Sequence, residues 1–133
     1  MEKTFINPPE LAAPRGYTHV VTVTGGKAVF IAGQVAWDAE GEVVGKGDLR
    51  AQATQAYTNL KAALAAAGAT TADVVKMNTY VVNFKSADLP VIREVRGQFF
   101  PQANMPASTL VGVQALAVDG LLIEVEAVAV VRE

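Results

Sequence analysis

Leu121-Leu122-Ile123-Glu124-Val125-Glu126-Ala127-Val128-Ala129-Val130-Val131 is the stretch on which the fold turns. Successive side chains of a strand point to opposite faces, so its residues divide into two sets. One face carries Ile123, Val125, Ala127 and Ala129 and is wholly apolar. The other carries Leu122, Glu124, Glu126, Val128 and Val130, apolar except for two carboxylates. A strand apolar on both faces belongs in the interior of a sheet. Glutamates placed there must be paired, hydrogen-bonded or shifted in pKa, because burying a bare charge is costly. That makes them candidates for acid or base chemistry, which Glu often performs. The plainer alternative is an interface ion pair or exposure to solvent.

Upstream, Ser108–Val113 reads as a strand, and Asp119-Gly120 taken alone would join it to the last strand as a hairpin. Before it, Ser86 is placed to cap a helix running to Phe100, with Pro90 in its first turn and Pro101 stopping it. Val74–Val82 is a strand. Leu49–Ala67 has helical periodicity, with a stripe of Leu49, Ala53, Ala56, Tyr57, Leu60, Ala63 and Leu64. Asp48 suits its N-cap and Gly68 its left-handed end. Tyr17–Thr24 and Ala28–Trp37 are strands around a Gly25-Gly26 turn, and Asp38–Gly45 is a turn with room for a short strand. Residues 1–15, with Pro8, Pro9 and Pro14, read as an irregular arm. The order β-β-(β)-α-β-α-β-β predicts an α+β fold over residues 1–133: one mixed sheet of five to six strands with two helices on one face.

At 133 residues the chain suits one domain. Hydrophobic residues make up 51% and charged residues 18%, the latter below the roughly 25% of average domains, so further burial in an oligomer is expected. A net charge of −2 exerts no global pull on nucleic acid or anionic membranes. The absence of Cys excludes disulfides, thiolate metal sites and a cysteine nucleophile, and one His excludes multi-histidine metal sites. No metal or other cofactor is expected. The N-terminus lacks a signal-peptide pattern, and no apolar run reaches the ~18 residues of a membrane helix, so a cytoplasmic location is expected.

Other candidates have plainer readings. His19 is a packing or surface residue, because neither Ser86 nor Ser108 sits in a nucleophile elbow that could complete a triad. Gly25-Gly26-Lys27 lacks phosphate-loop spacing and is a turn. Trp37 is a packing or interface residue. Arg93 and Arg96, one helical turn apart, would ordinarily be solvated or make surface ion pairs. At a subunit cleft, such an Arg could instead fork onto a substrate carboxylate.

The chain resembles the RidA (YjgF) family of reactive-intermediate deaminases along nearly its whole length. The resemblance is carried by Gly16-Tyr17, Ala32-Gly33-Gln34, Gln52 through Asn59-Leu60 to Gly68, Asp73-Val74-Val75-Lys76, Phe99-Phe100, Pro106-Ala107 and Ile123-Glu124-Val125-Glu126-Ala127. It implies a chorismate-mutase-like fold assembled as a homotrimer, with a pocket at each subunit boundary. It also implies that the last strand lies beside the fourth, against the hairpin signal of Asp119-Gly120. Deaminase members hydrolyse enamines and imines without a cofactor: an Arg grips the substrate carboxylate and a Glu handles the attacking water.

Carried over residue by residue, the resemblance makes Glu124 the water-handling Glu and Tyr17 the pocket Tyr. Gly33 and Ala32 fall in the pocket, Ala32 where a serine is usual. Arg93 replaces a pocket asparagine, and Ser108 stands where the Arg should follow Pro106-Ala107. Ser108 cannot make a bidentate, charge-assisted grip. Either Arg93 or backbone N–H groups bind the acid, or the pocket takes a different imine or carbonyl compound. The function implied is therefore hydrolysis of small reactive enamines or imines with an altered substrate range. The alternative is a trimer that binds a small metabolite without turnover. Endoribonuclease activity, attached to parts of the family, is disfavoured by the acidic balance and the lack of a basic run with aromatics.

Overall fold

The strand with two apolar faces runs through the middle of the sheet, as its pattern requires. The computed structural model describes residues 1–133. Its elements are β1 (Glu2–Ile6), β2 (Val20–Thr24), β3 (Lys27–Val35), α1 (Leu49–Ala66), β4 (Val74–Val82), α2 (Asp88–Gly97), β5 (Ala107–Val113) and β6 (Ile123–Val131). Four strands form a mixed sheet in the order β3-β6-β4-β5, with β6 antiparallel to both neighbours and β4 parallel to β5. Because β4 lies between β5 and β6, Asp119-Gly120 does not close a hairpin.

Both helices cover one face of this sheet. Ile123, Val125, Ala127 and Ala129 of β6 join Met77 and Val81 of β4 in the core, beneath Tyr57, Leu60 and Leu64 of α1 and Ile92 and Val95 of α2. Ala53 and Ala56 are fully buried, and their small side chains let α1 approach the core closely. Asp48 caps α1 by accepting a 3.1 Å hydrogen bond from the Ala51 N–H. Gly68, at φ +74°, ends it in the left-handed conformation. The second helix is shorter than its periodicity suggests. Ser86 does not cap it; the Asp88 carboxylate instead accepts from the Lys85 N–H at 2.9 Å, and the helix ends at Gly97.

The N-terminus departs from the expected irregular arm. Glu2–Ile6 pairs antiparallel with Val20–Thr24, and the prolines lie in the connection between them. Lys3 and Phe5 of β1 share a half-buried face with Val21 and Val23 of β2. Lys3 also donates to the Asp73 carbonyl at 3.3 Å, tying the ribbon to the turn before β4. Gly25 and Gly26 both take positive φ, as a tight turn demands, yet β2 pairs with β1 and β3 with β6. The six strands are thus divided between a four-stranded sheet and a two-stranded ribbon.

Gln52 fixes where β6 begins. Fully buried on α1, its amide nitrogen donates to the carbonyls of Gly45 at 3.2 Å and Gly120 at 2.8 Å, while its oxygen accepts from the Leu122 N–H at 2.8 Å. Gln52→Leu would strand these backbone groups, each costing about 1–3 kcal/mol when buried and unpaired. The variant is expected to lose about 3 kcal/mol in urea unfolding. Gln52→Glu, which keeps the acceptor but loses the donor, should also be destabilised.

Candidate functional site

On the face of β6 away from the helices, Glu124 lies opposite Val35 of β3 and Tyr80 of β4. Its carboxylate is seated on the backbone of Gly33. A Cβ at that position would lie 1.8 Å from Glu124 Oε2 and 2.6 Å from its Cδ. Clearance, not positive φ, makes glycine necessary here. The ladder between β3 and β6 slips between Ile31 and Gln34, so Ala32 and Gly33 together face the single residue Glu126. Such a bulge bends a strand and re-aims what lies beside it. Asn59 of α1 holds the strand's end from behind, donating to the carbonyls of Val35 at 2.9 Å and Trp37 at 2.8 Å.

Glu126, two residues along the same face, is held through one of its oxygens. Its Oε1 accepts from the Tyr80 hydroxyl and from Asn78 Nδ2, the latter at 3.1 Å. Those two hydrogen bonds, Tyr80's first, favour the charged form and pull the Glu126 carboxyl below its ordinary pKa. The same bond holds the Tyr80 phenol above its usual value. Tyr80, Val113, Leu116, Glu124 and Glu126 line one shallow depression at this face. Around it the face is apolar and open: Phe30 is 78% exposed, and Val111 is exposed on the edge strand β5.

The remaining predicted residues gather elsewhere, at the α2 side. Thr18 donates its N–H to the Pro106 carbonyl at 3.1 Å and its hydroxyl to the Met105 carbonyl, which brings Tyr17 beside the start of β5. Ser108 pairs in register with core-facing Met77, which places it on the helix-bearing face, and it is half-buried. Arg93 is exposed and donates to the Arg15 carbonyl at 3.3 Å. His19 is structural: its ring nitrogen Nε2 lies 2.7 Å from the Ala12 carbonyl oxygen, and its backbone N–H donates to Asn7 Oδ1 at 2.8 Å. One chain therefore brings Gly33 and Glu124 together, with Ala32 in the same bulge. It gathers Tyr17, Arg93 and Ser108 at another edge, across the sheet from the first group.

Four residues of interest escaped the sequence reading or were left as surface groups. Asn78 and Tyr80 become visible only when β4 and β6 are aligned, because their signal is cross-strand register. Tyr57 reads as a core aromatic, and Arg96 as a solvated partner of Arg93, until their surroundings are known.

The family model described as Endoribonuclease L-PSP matches residues 8–131. A 2-iminobutanoate/2-iminopropanoate deaminase of Dermatophagoides farinae is 36% identical over 131 residues, covering 98% of each chain. The chain belongs to the RidA (YjgF) family. Other RidA relatives include TdcF of Escherichia coli K12, described as a putative reactive intermediate deaminase, 35% identical over 79% of this chain and 80% of its own. Among solved structures, the Rid-family protein YyfB of Yersinia pestis, of unknown function, superposes with a TM-score of 0.92 at 47% identity, covering 98% of this chain and all of that one. E. coli TdcF with bound serine superposes with a TM-score of 0.69 at 33% identity, covering 89% and 90%. The α+β fold, two helices on a mixed sheet, is that of the RidA family.

The Glu126 cluster has a measurable pH signature. A carboxyl whose folded pKa is depressed stabilises the fold above its unfolded pKa and loses that contribution as pH falls through the folded value. Melting temperatures should therefore fall across the acid range below the ordinary glutamate pKa, and Glu126→Gln should flatten that slope. Tyr80→Phe should raise the Glu126 carboxyl pKa, read by carbon-13 NMR titration.

Proposed function

We propose that this protein is a cofactor-free deaminase that hydrolyses small reactive enamines and imines, at pockets formed between the subunits of a homotrimer. The observation that carries the reading is the Glu124 carboxylate seated on Gly33. It is a base on a rigid central strand, next to a bulge and open to an approaching molecule. Relatives named as an imine deaminase and as a putative reactive intermediate deaminase support the same chemistry. In the reaction, Glu124 takes a proton from water as the oxygen attacks the imine carbon. It returns the proton to nitrogen, and the carbinolamine collapses to a carbonyl compound and ammonia. An enamine first tautomerises to the imine, its terminal carbon gaining a proton and its nitrogen losing one.

The division of site residues between two faces supports assembly. Glu124, Ala32 and Gly33 lie on the open face, whereas Tyr17, Arg93 and Ser108 lie at the α2 side, so a pocket using both sets needs two copies of the chain. Exposed Phe30 and Val111 give the open face apolar area for such an interface. Ser108 offers no charge to a carboxylate, which argues for a changed substrate range and for a cation supplied from α2. The endoribonuclease description of the matched family finds no support in the residues. The net charge is −2, and the site's cations face no run of stacking aromatics.

The test uses imines released in situ by a pyridoxal-phosphate dehydratase acting on serine or threonine, with ketoacid formation followed over the uncatalysed rate. Glu124→Gln should reduce the catalysed rate by about 100-fold or more, the usual scale for losing a general base. Gly33→Ala should do nearly as much by displacing the carboxylate. Ser108→Arg should raise activity toward 2-imino acids. Lack of acceleration by the wild type together with ligand binding would replace this reading with a non-turnover binding protein. Light scattering should report about 42 kDa, three copies of the 13.9 kDa chain.

A further inference from the structure

The loop that carries Tyr17 has no ladder to hold it. Residues 15–19 precede β2 and residues 104–106 precede β5, so strand pairing places neither segment. Each contains a left-handed residue, Gly16 at φ +78° and Asn104 at φ +56°. One residue joins them. Thr18 is 4% exposed, one of three buried polar residues with Gln52 and Thr79. Its hydroxyl donates to the Met105 carbonyl, and its N–H donates to the Pro106 carbonyl at 3.1 Å. Two consecutive carbonyls at the entry to β5 are thus taken by the neighbour of Tyr17.

The other ties of this loop are of a different kind. Toward α2, Arg93 donates to the Arg15 carbonyl at 3.3 Å. Gly16 brings bare backbone against Arg96, where a Cβ would lie 2.4 Å from Nη2. Arg96 takes part in neither of the chain's ion pairs, Lys3–Asp73 and Arg50–Glu94. Toward the N-terminal connection, the His19 ring meets the Tyr17 ring edge-on, with centroids 5.1 Å apart. His19 is held in turn by Asn7 and by the Ala12 carbonyl. The hydrogen bonds of Arg93 and His19 are exposed, where water competes with them, whereas the Thr18 hydroxyl bond is partly buried. A β-branched threonine also has few rotamers, so its hydroxyl and its backbone are fixed together.

We propose that Thr18 is a positioning residue for the deaminase: by latching its loop to the entry of β5, it sets where the Tyr17 ring lies in the pocket wall beside the strand of Ser108. Thr18 acts through Tyr17 and touches no reacting atom. A wall residue binds ground state and transition state alike, so a displaced ring raises KM more than it lowers kcat. A displacement on the order of 1 Å is enough for a kinetic effect. The proposal rests on the deaminase reading for what the wall binds, whereas the place of the ring is measured without turnover.

The test compares Thr18→Val, which keeps the shape and loses the hydroxyl, with Thr18→Ser, which keeps the hydroxyl. Imines are generated by a pyridoxal-phosphate dehydratase, and rates are taken well below each melting temperature. Thr18→Val should raise KM by about tenfold and leave kcat within about threefold. Thr18→Ser should recover most of that loss. Tyr17→Ala alone should lose as much as Tyr17→Ala combined with Thr18→Val, because no ring is left to displace. In NMR spectra, the Tyr17 ring resonances should shift in Thr18→Val and return in Thr18→Ser, with those of Tyr80 in place. A readout that needs no variant is the Thr18 amide of the wild type, which should exchange slowly with solvent deuterium. Three results would overturn the proposal: a Thr18→Val protein with unchanged KM and Tyr17 resonances, losses that multiply in the double variant, or a fast-exchanging Thr18 amide. Ring displacement in Thr18→Val, with no imine turnover by the wild type, would sustain the latch and remove the deaminase reading.

Discussion

The insertion of β6 between β3 and β4 is the constraint on which the rest of the molecule depends. Only a strand paired on both edges can hold Glu124 and Glu126 at fixed heights above two different neighbours. Antiparallel pairing with β4 sets Asn78 and Tyr80 against Glu126, and pairing with β3 sets the bulge at Ala32-Gly33 beside Glu124. The other face of the same strand is locked under both helices by Ile123, Val125, Ala127 and Ala129. A slip of one residue would exchange the two faces, burying carboxylates under α1 and exposing the core. Gln52 guards against that slip, because its three hydrogen bonds register the entry to β6 against α1.

Much of this was legible before any coordinates. Two apolar faces in residues 121–131 asked for an interior strand, and that pattern together with the family resemblance overrode the hairpin signal of Asp119-Gly120. Burial on both faces involves many residues, whereas a turn preference involves two. Helix α1 was legible because stripe, cap and C-terminal glycine all agreed. The N-terminal strand was not. Five residues beside three prolines look irregular, and only long-range pairing with β2 supplies the reason for Glu2–Ile6 to extend. The Gly25-Gly26 turn was legible as geometry but not as connectivity, since a turn does not say which ladders its arms will join.

The candidate site was legible to a different degree. Glu124 stood out because a charge interrupted an apolar strand, and Gly33 entered through a short motif. The role of Gly33 is steric and belongs to a carboxylate ninety-one positions away in the sequence, a relation no local pattern contains. Asn78 and Tyr80 look like ordinary strand residues until β4 is set against β6. Glu126 was the more ambiguous of the two glutamates for the same reason. Its partners, both on Oε1, favour its ionised form and tie it to β4, whereas Glu124 accepts no side-chain hydrogen bond.

Arg96 shows why residue type and spacing misjudge some groups. On a helix, an arginine one turn from another reads as solvated, and most such residues are. What separates this one is the set of things it lacks: no acid within reach, no carbonyl accepting from it, and a glycine backbone where a side chain would have pushed it toward solvent. Sequence does not record missing partners.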